Sequence, residues 1–176
     1  LMELSTAQVS GLKELADALR DLPDRIARNA LRGATAAGAA VIRNEARRRA
    51  PVYTGQVSEG HPRPGTLKRS IYMTQKRELS SLVQQTFHVS VQRGKARQAV
   101  QITRKVKGQR VVVGTENLDA FYWRFVEFGT VNMAARPFMR PAFEAKKYEA
   151  VEAIRRYLAE RIAREAEKLK KGPAPK

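Results

Sequence analysis

Apolar positions along the chain follow two spacings, and their alternation outlines the fold. Near the start, "GLKELADALRDLP" sets Leu12, Leu15, Ala16, Leu19 and Leu22 three or four residues apart, the repeat of an amphipathic helix, with Ser10 placed to cap it. Pro23 fits the first turn of a second helix, which can run until Pro51 stops it. At 1.5 Å per residue this helix would be roughly 40 Å long. Its middle, "GATAAGAA", is almost all small residues. Gly33 and Gly38 weaken a helix, so close approach of another helix or sheet is the simplest reason to find them there.

From Val83 the spacing changes to two. "LVQQTFHVSVQ" puts Val83, Gln85, Phe87, Val89 and Val91 on one face and Gln84, Thr86, His88, Ser90 and Gln92 on the other. The polar side makes His88 a surface residue. "VQITRKV" and "RVVVGT" follow as strands, joined by the turns "RGKARQA" and "KGQ", and "LKRSIYMT" upstream is a less regular strand pattern. A short helix is predicted after Asn117 or Asp119, ending at Gly129 in a left-handed stop. Pro141 fits the first turn of a last helix reaching about Lys171, with Phe143, Val151, Ile154, Leu158, Ile162 and Leu169 as its apolar stripe. Glu152–Arg156, Glu160–Arg164 and Glu167–Lys171 are spaced as supporting ion pairs.

These elements predict an α+β fold in one domain over residues 1–171. An antiparallel sheet of three to five strands would pack against two long helices. Residues 51–66 carry three prolines and three glycines without periodicity and read as a long mobile loop, and 172–176 as a disordered tail.

Charge adds a direction to this outline. The net charge is +17, and residues 23–115 hold 19 Lys/Arg against four Asp/Glu. Such a field attracts nucleic acid, an acidic protein surface or anionic lipid, although a solvated surface accounts for it equally well. Arg43, Arg47, Arg48 and Arg49 either complement the end of their helix or form a patch for a partner. With Arg93, Lys95, Arg97, Lys105 and Lys107 in and beside the basic turns, they are the candidates for contact with DNA or an acidic partner. There is no cysteine, and the two histidines, His61 and His88, lie far apart, so neither a disulfide nor a histidine metal cluster is expected. No apolar run approaches the roughly 20 residues that span a bilayer, and no signal peptide is evident. A soluble chain made in a cytoplasm, without membrane contact or cofactor, is the expectation.

Catalysis finds no support. Glu127 sits among aromatics that would raise a carboxyl pKa, but it lacks a second carboxylate. It is expected to pair with Arg136 or Arg140, or to cap neighbouring backbone. "GTLKRS" lacks the spacing of a phosphate loop. The basic hairpin "TRKVKGQRVVVG" has none of the aromatic interleaving of a single-strand platform, and no helix-turn-helix is present. Any nucleic-acid contact would fall on phosphates rather than bases.

The aromatic mass gathers instead in "FYWRFVEFGTVNMAARPFMRP", Phe121 to Pro141. A helix end, an irregular run and two X-Pro bonds make a stiff segment. Phe138 and Met139 between Pro137 and Pro141 would lose little freedom on docking, which suits a protein interface, or they close the core beneath the last helix.

"YWRFVEFGT" followed by "ARPFMRPAFE" resembles the tail-component (gene 10-type) proteins of lambda-like long-tailed phages and prophages. "GLKELADALRDLP", "ARRRAPVYTG" and "GTLKRSI" extend the resemblance over nearly the whole chain, which departs from it by inserting "QVSEGHPRP". The resemblance implies a non-enzymatic virion protein of the tail or neck, acting in tail completion and head–tail joining. Assembly would occur in the bacterial host cytoplasm. Its implied partners are other neck and tail proteins, copies of itself in a ring, commonly sixfold, and genomic DNA through non-specific contact. Tyr122, Phe128, Gly129, Arg136, Pro137, Phe138, Met139, Arg140 and Pro141 are expected to form one interface or the fold immediately behind it. The alternative is a basic protein binding nucleic acid through non-specific phosphate contacts.

Overall fold

The computed structural model describes residues 12–20, 22–54, 64–93, 99–106, 109–117 and 119–170. In chain order these form α1 (Leu12–Arg20), α2 (Asp24–Arg49), α3 (Thr66–Ser70), β1 (Ile71–Gln75), a 3-10 turn (Arg77–Leu79), β2 (Phe87–Val91), β3 (Ala99–Val106), β4 (Gln109–Asn117), α4 (Trp123–Phe128) and α5 (Met139–Lys170). The fold class is α+β. Ser10, most of the 51–66 loop and the 172–176 tail lie outside the described residues. Two compact units are present: Leu1–Gly38, Gln75–Phe87 and Glu149–Lys176 in the first, Ala39–Thr74 and His88–Tyr148 in the second. Both long helices contribute residues to each.

The first unit is built by helices in close approach. Leu15, Leu19, Ile154 and Ile162 pack around buried Ala30, Ala34 and Leu158. The small-residue stripe of α2 behaves as its composition predicts. A Cβ added at Gly38 would lie 2.7 Å from Ile154 Cγ1 and 3.0 Å from the Ala150 carbonyl oxygen, and one at Gly33 would run into the Tyr157 ring. Backbones this close recover in contact what the glycines lose in helix propensity.

Residues 76–86 correct the predicted strand. The ladder begins at Phe87, not Leu82, because local side chains take up the backbone first. The Ser80 hydroxyl donates to the Lys76 carbonyl (2.6 Å) and accepts from the Thr86 N–H (3.1 Å), while Thr86 Oγ1 donates to the Leu79 carbonyl (3.0 Å). Such bonds give the chain an alternative to strand pairing. Val83, assigned to the inward face by its spacing, is 88% exposed.

In the second unit, "LKRSIYMT" divides. Gly65 takes φ 79°, the Arg69 N–H reaches the Gly65 carbonyl (3.1 Å) and Ser70 Oγ donates to the Thr66 carbonyl (2.7 Å), closing one helical turn before β1 starts. Bonds from the Gln92 N–H to the Ser70 carbonyl and from the Lys76 N–H to the Thr86 carbonyl, one beyond each end of the pairing, make β1 and β2 antiparallel. β3 and β4 pair antiparallel from Ala99↔Asn117 to Val106↔Gln109, with a register shift after Ile102 that leaves Val113 as the extra residue of a bulge. The strands thus form two ladders of two, β1–β2 and β3–β4, where one sheet of three to five was expected. No further strand joins either ladder among the described residues.

The core of this unit draws on six segments. Ala46 and Ala50 of α2, Leu67, Ile71, Val91, Ala120, Phe138 and Ala142 are buried together, with Val89, Tyr122, Trp123, Val126 and Met139 packed against them. Phe143, expected on the inner stripe of α5, is exposed.

Candidate docking surface

The helix α4 and the turn before it carry six large apolar side chains between Phe121 and Phe128, which divide by what lies beside them. Tyr122, Trp123 and Val126 pack on the core, while Phe121, Phe125 and Phe128 face outward at 61%, 52% and 65% exposure. The Phe121 and Tyr122 rings meet edge to face at 5.6 Å, and the Arg124 guanidinium lies 5.7 Å from the Trp123 ring centre. Both arrangements favour a fixed ring orientation.

Gly129 ends α4, as expected, but not in the left-handed helical conformation. Its φ of 77° and ψ of 179° fall in a region essentially confined to glycine. An added Cβ would also sit 2.9 Å from the Met133 carbonyl oxygen and 2.9 Å from the Ala135 nitrogen. The sharp exit feeds a tight turn in which Thr130 and Met133 exchange backbone bonds of 2.9 and 3.2 Å, leaving Val131 wholly exposed at the tip. The Arg136 N–H then returns to the Val126 carbonyl (2.8 Å).

Glu127 fastens this segment to the start of α5. Its buried carboxylate accepts the N–H of Phe138 (2.7 Å) and Met139 (3.0 Å) on one oxygen, and that of Arg140 (3.1 Å) on the other. The first amides of a helix have no partner within it, and a negative charge there also complements the helix dipole. Of the roles expected for Glu127, the capping of neighbouring backbone is the one observed. Pro141, the third residue of α5, needs no N–H there.

Beside α4 lies an apolar groove of about 570 Å³. It is lined by Pro51, Val52 and Tyr53 after α2, by Phe121, Tyr122 and Val126, and by Met133 and Arg136, among others. Burial pushes the Tyr122 phenol above its ordinary range, partly offset by a hydrogen bond with the Leu67 backbone and by Arg69. Thr66, next to the groove residues Gly65 and Leu67, keeps a buried hydroxyl with no hydrogen-bond partner among the described residues.

The residues singled out from the sequence separate into three groups. Phe128, Arg136, Pro137 and Arg140 are exposed, and Tyr122 and Met139 are half-buried. Phe138 is fully buried, so it supports the surface from behind and reaches no solvent in this chain. The arginines at the end of α2 are held within the chain. Arg48 and Arg49 both pair with buried Glu45 at 2.6 Å, and Arg47 gives two bonds to the Ile71 carbonyl (2.9 and 2.6 Å). Arg43 bonds the side chain of Asn44. The hydrogen bond from Arg48, with Arg49 and both charges adding to it, holds the Glu45 carboxyl down at about 2 against the partial opposition of burial. Burial and neighbouring Arg43 lower the pKa of Arg47. Arg93 is exposed, whereas Lys95, Arg97 and Lys107 and the side chain of Lys105 lie outside the described residues. Sequence reasoning did not single out Phe121, Phe125 or the groove. The signal was available in part, because Phe121, Phe125 and Phe128 share the helical spacing of one face.

The family model described as "Bacteriophage HK97-gp10, putative tail-component" matches residues 13–129, well over half of the chain. The chain belongs to this family. Membership makes it a phage tail component, a structural protein of the virion tail that interacts with other tail proteins. Comparison with curated proteins and with solved structures returns no match. The matched part of this tail component ends at Gly129, so α4 and its glycine stop fall within it. The Val131 turn and the Glu127-capped start of α5 follow directly after.

Proposed function

We propose that this tail component acts in tail completion and head–tail joining, as a non-enzymatic neck or tail protein that docks on its neighbours through the outer face of α4. The neighbours are other tail proteins and further copies of the chain arranged in a ring. The supporting observation is the exposure of Phe121, Phe125 and Phe128 at the spacing of one helical face, with Val131 exposed in the turn that follows and Phe121 lining an apolar groove. Large apolar side chains gathered on one face mark interaction surfaces in soluble proteins. The short turn, the glycine exit and the Glu127 cap hold this face in place before a partner arrives, which lowers the entropy lost on docking. Arg136, Pro137, Met139, Arg140 and Pro141 form its border, and Phe138 is its buried support.

The test is the triple variant F121S/F125S/F128S introduced into the phage or prophage. It is expected to keep its circular dichroism spectrum and Tm, because these rings face outward, while infectious particles fall to background and tails accumulate unjoined. A folded variant that still completes tails at the normal level would overturn the proposal.

A further inference from the structure

We infer that the first compact unit carries a phosphate-binding pocket, separate from the aromatic face and independent of what that face docks. A cavity of about 440 Å³ is lined by Arg28, Arg32 and Arg77 together with Asn29, Ser81 and Gln85 among others. Arg28 and Arg32 lie one turn apart on α2, and Arg77 opens the 3-10 turn. Among the described residues no carboxylate lines the cavity. Among the described residues none of the three guanidiniums has a hydrogen bond or an ion pair, whereas Arg20, Arg161 and Arg164 of the same unit pair with Asp17, Glu165 and Glu160. Three like charges facing one concave space repel each other until an anion enters.

The walls are stiff, and their unused hydrogen-bonding groups are mostly donors. The loop behind Arg77 is braced by the Ser80 and Thr86 bonds already described, and the Gln75 amide donates to Gln85 Oε1 (2.7 Å). Ser81 Oγ accepts from the Gln84 N–H (3.1 Å), which leaves its own proton to give. A single guanidinium fork already satisfies a carboxylate. Three forks with a hydroxyl and an amide suit a group bearing three or four oxygens, which is the pattern of phosphate. At about 30 Å³ per water the space corresponds to roughly fifteen waters, more than one bare ion fills. The phosphate therefore arrives on a nucleic-acid backbone or as a condensed free phosphate.

The experiment uses the full chain and three probes: a labelled short duplex DNA, inorganic pyrophosphate and polyglutamate. The variant R28Q/R32Q/R77Q is compared with R25Q/R156Q/R164Q, which removes the same charge from exposed positions of the same unit. The pocket variant is expected to lose about tenfold in DNA affinity and to lower the slope of log K against log salt by about 2 to 3, while the control shifts affinity by less than about twofold. Pyrophosphate binding that vanishes in the pocket variant, without DNA binding, also supports the site and identifies free phosphate as its source. Equal losses in the two variants would overturn it, as would polyglutamate displacing the probe as well as unlabelled DNA does. If the glutamine variant does not fold, R28K/R32K/R77K keeps the charge and removes the forks. Intermediate binding then supports the site, and binding equal to the parent overturns it.

Discussion

The two compact units are held together in opposite ways. In the first, alanines and glycines let helices approach until there is no room for a methyl group, and the buried cluster is Ala30, Ala34 and Leu158. In the second, bulk fills the space, with Phe138, Ile71 and Leu67 at the centre of residues drawn from six segments. The first should be sensitive to atoms added and the second to atoms removed. Their open cavities differ in the same spirit: one is ringed by arginines and polar groups, the other by aromatic and aliphatic side chains.

The comparison is most exposed to Phe138→Ala. Removing a fully buried phenyl group from the second unit is expected to destabilise the protein by about 4 kcal/mol in denaturant unfolding. A loss below about 1 kcal/mol would mean that the unit does not depend on its bulk. Glu127→Ala comes next. It strips three backbone amides of a charged acceptor and should cost about 3 kcal/mol, read from the same unfolding curves.

In the first unit, Gly38→Ala pushes a methyl group against Ile154 and the Ala150 carbonyl and is expected to cost about 2 kcal/mol. Gly33→Ala meets only the movable end of Tyr157, so the gain in helix propensity should bring its effect near zero. A Gly38→Ala variant as stable as the parent would remove the contrast between the units. The smallest effect concerns Glu45. Its pKa is held down at about 2, below the ordinary carboxylate value of 4.5, so its contribution is complete above the unfolded value and disappears as pH falls through about 2. Thermal melts between pH 6 and pH 2 should show a shallower decline for Glu45→Gln than for the parent. Parallel curves would mean that Arg48 and Arg49 do not stabilise that charge.

Where one residue decides an outcome, the sequence was legible. Pro23, Pro141 and Gly129 mark helix ends that the structure keeps, and the paired glycines of α2 announce the close approach of α5. The faces of α4 were not legible. Tyr122, Trp123 and Val126 are no more apolar than Phe121, Phe125 and Phe128, and Ala120 and residues from α3 and β1 decide which set turns inward. Val83 continued an alternation that Ser80 and Thr86 interrupt through bonds the pattern does not contain. The arginine cluster was legible in principle. Glu45 stands three and four residues before Arg48 and Arg49, the spacing of helical ion pairs, and that pairing outweighs a reading from charge count alone.

The Glu127 clasp also bears on how the chain reaches this state. Its three bonds span 11 to 13 residues. Loops near that length close in roughly 10–100 ns. Contacts so local can form ahead of the pairings that join distant segments. The turn carrying Val131 and the first residues of α5 are therefore candidates for the folding nucleus. Replacing Glu127 should slow refolding more than it hastens unfolding, a difference that the two arms of a chevron plot would display.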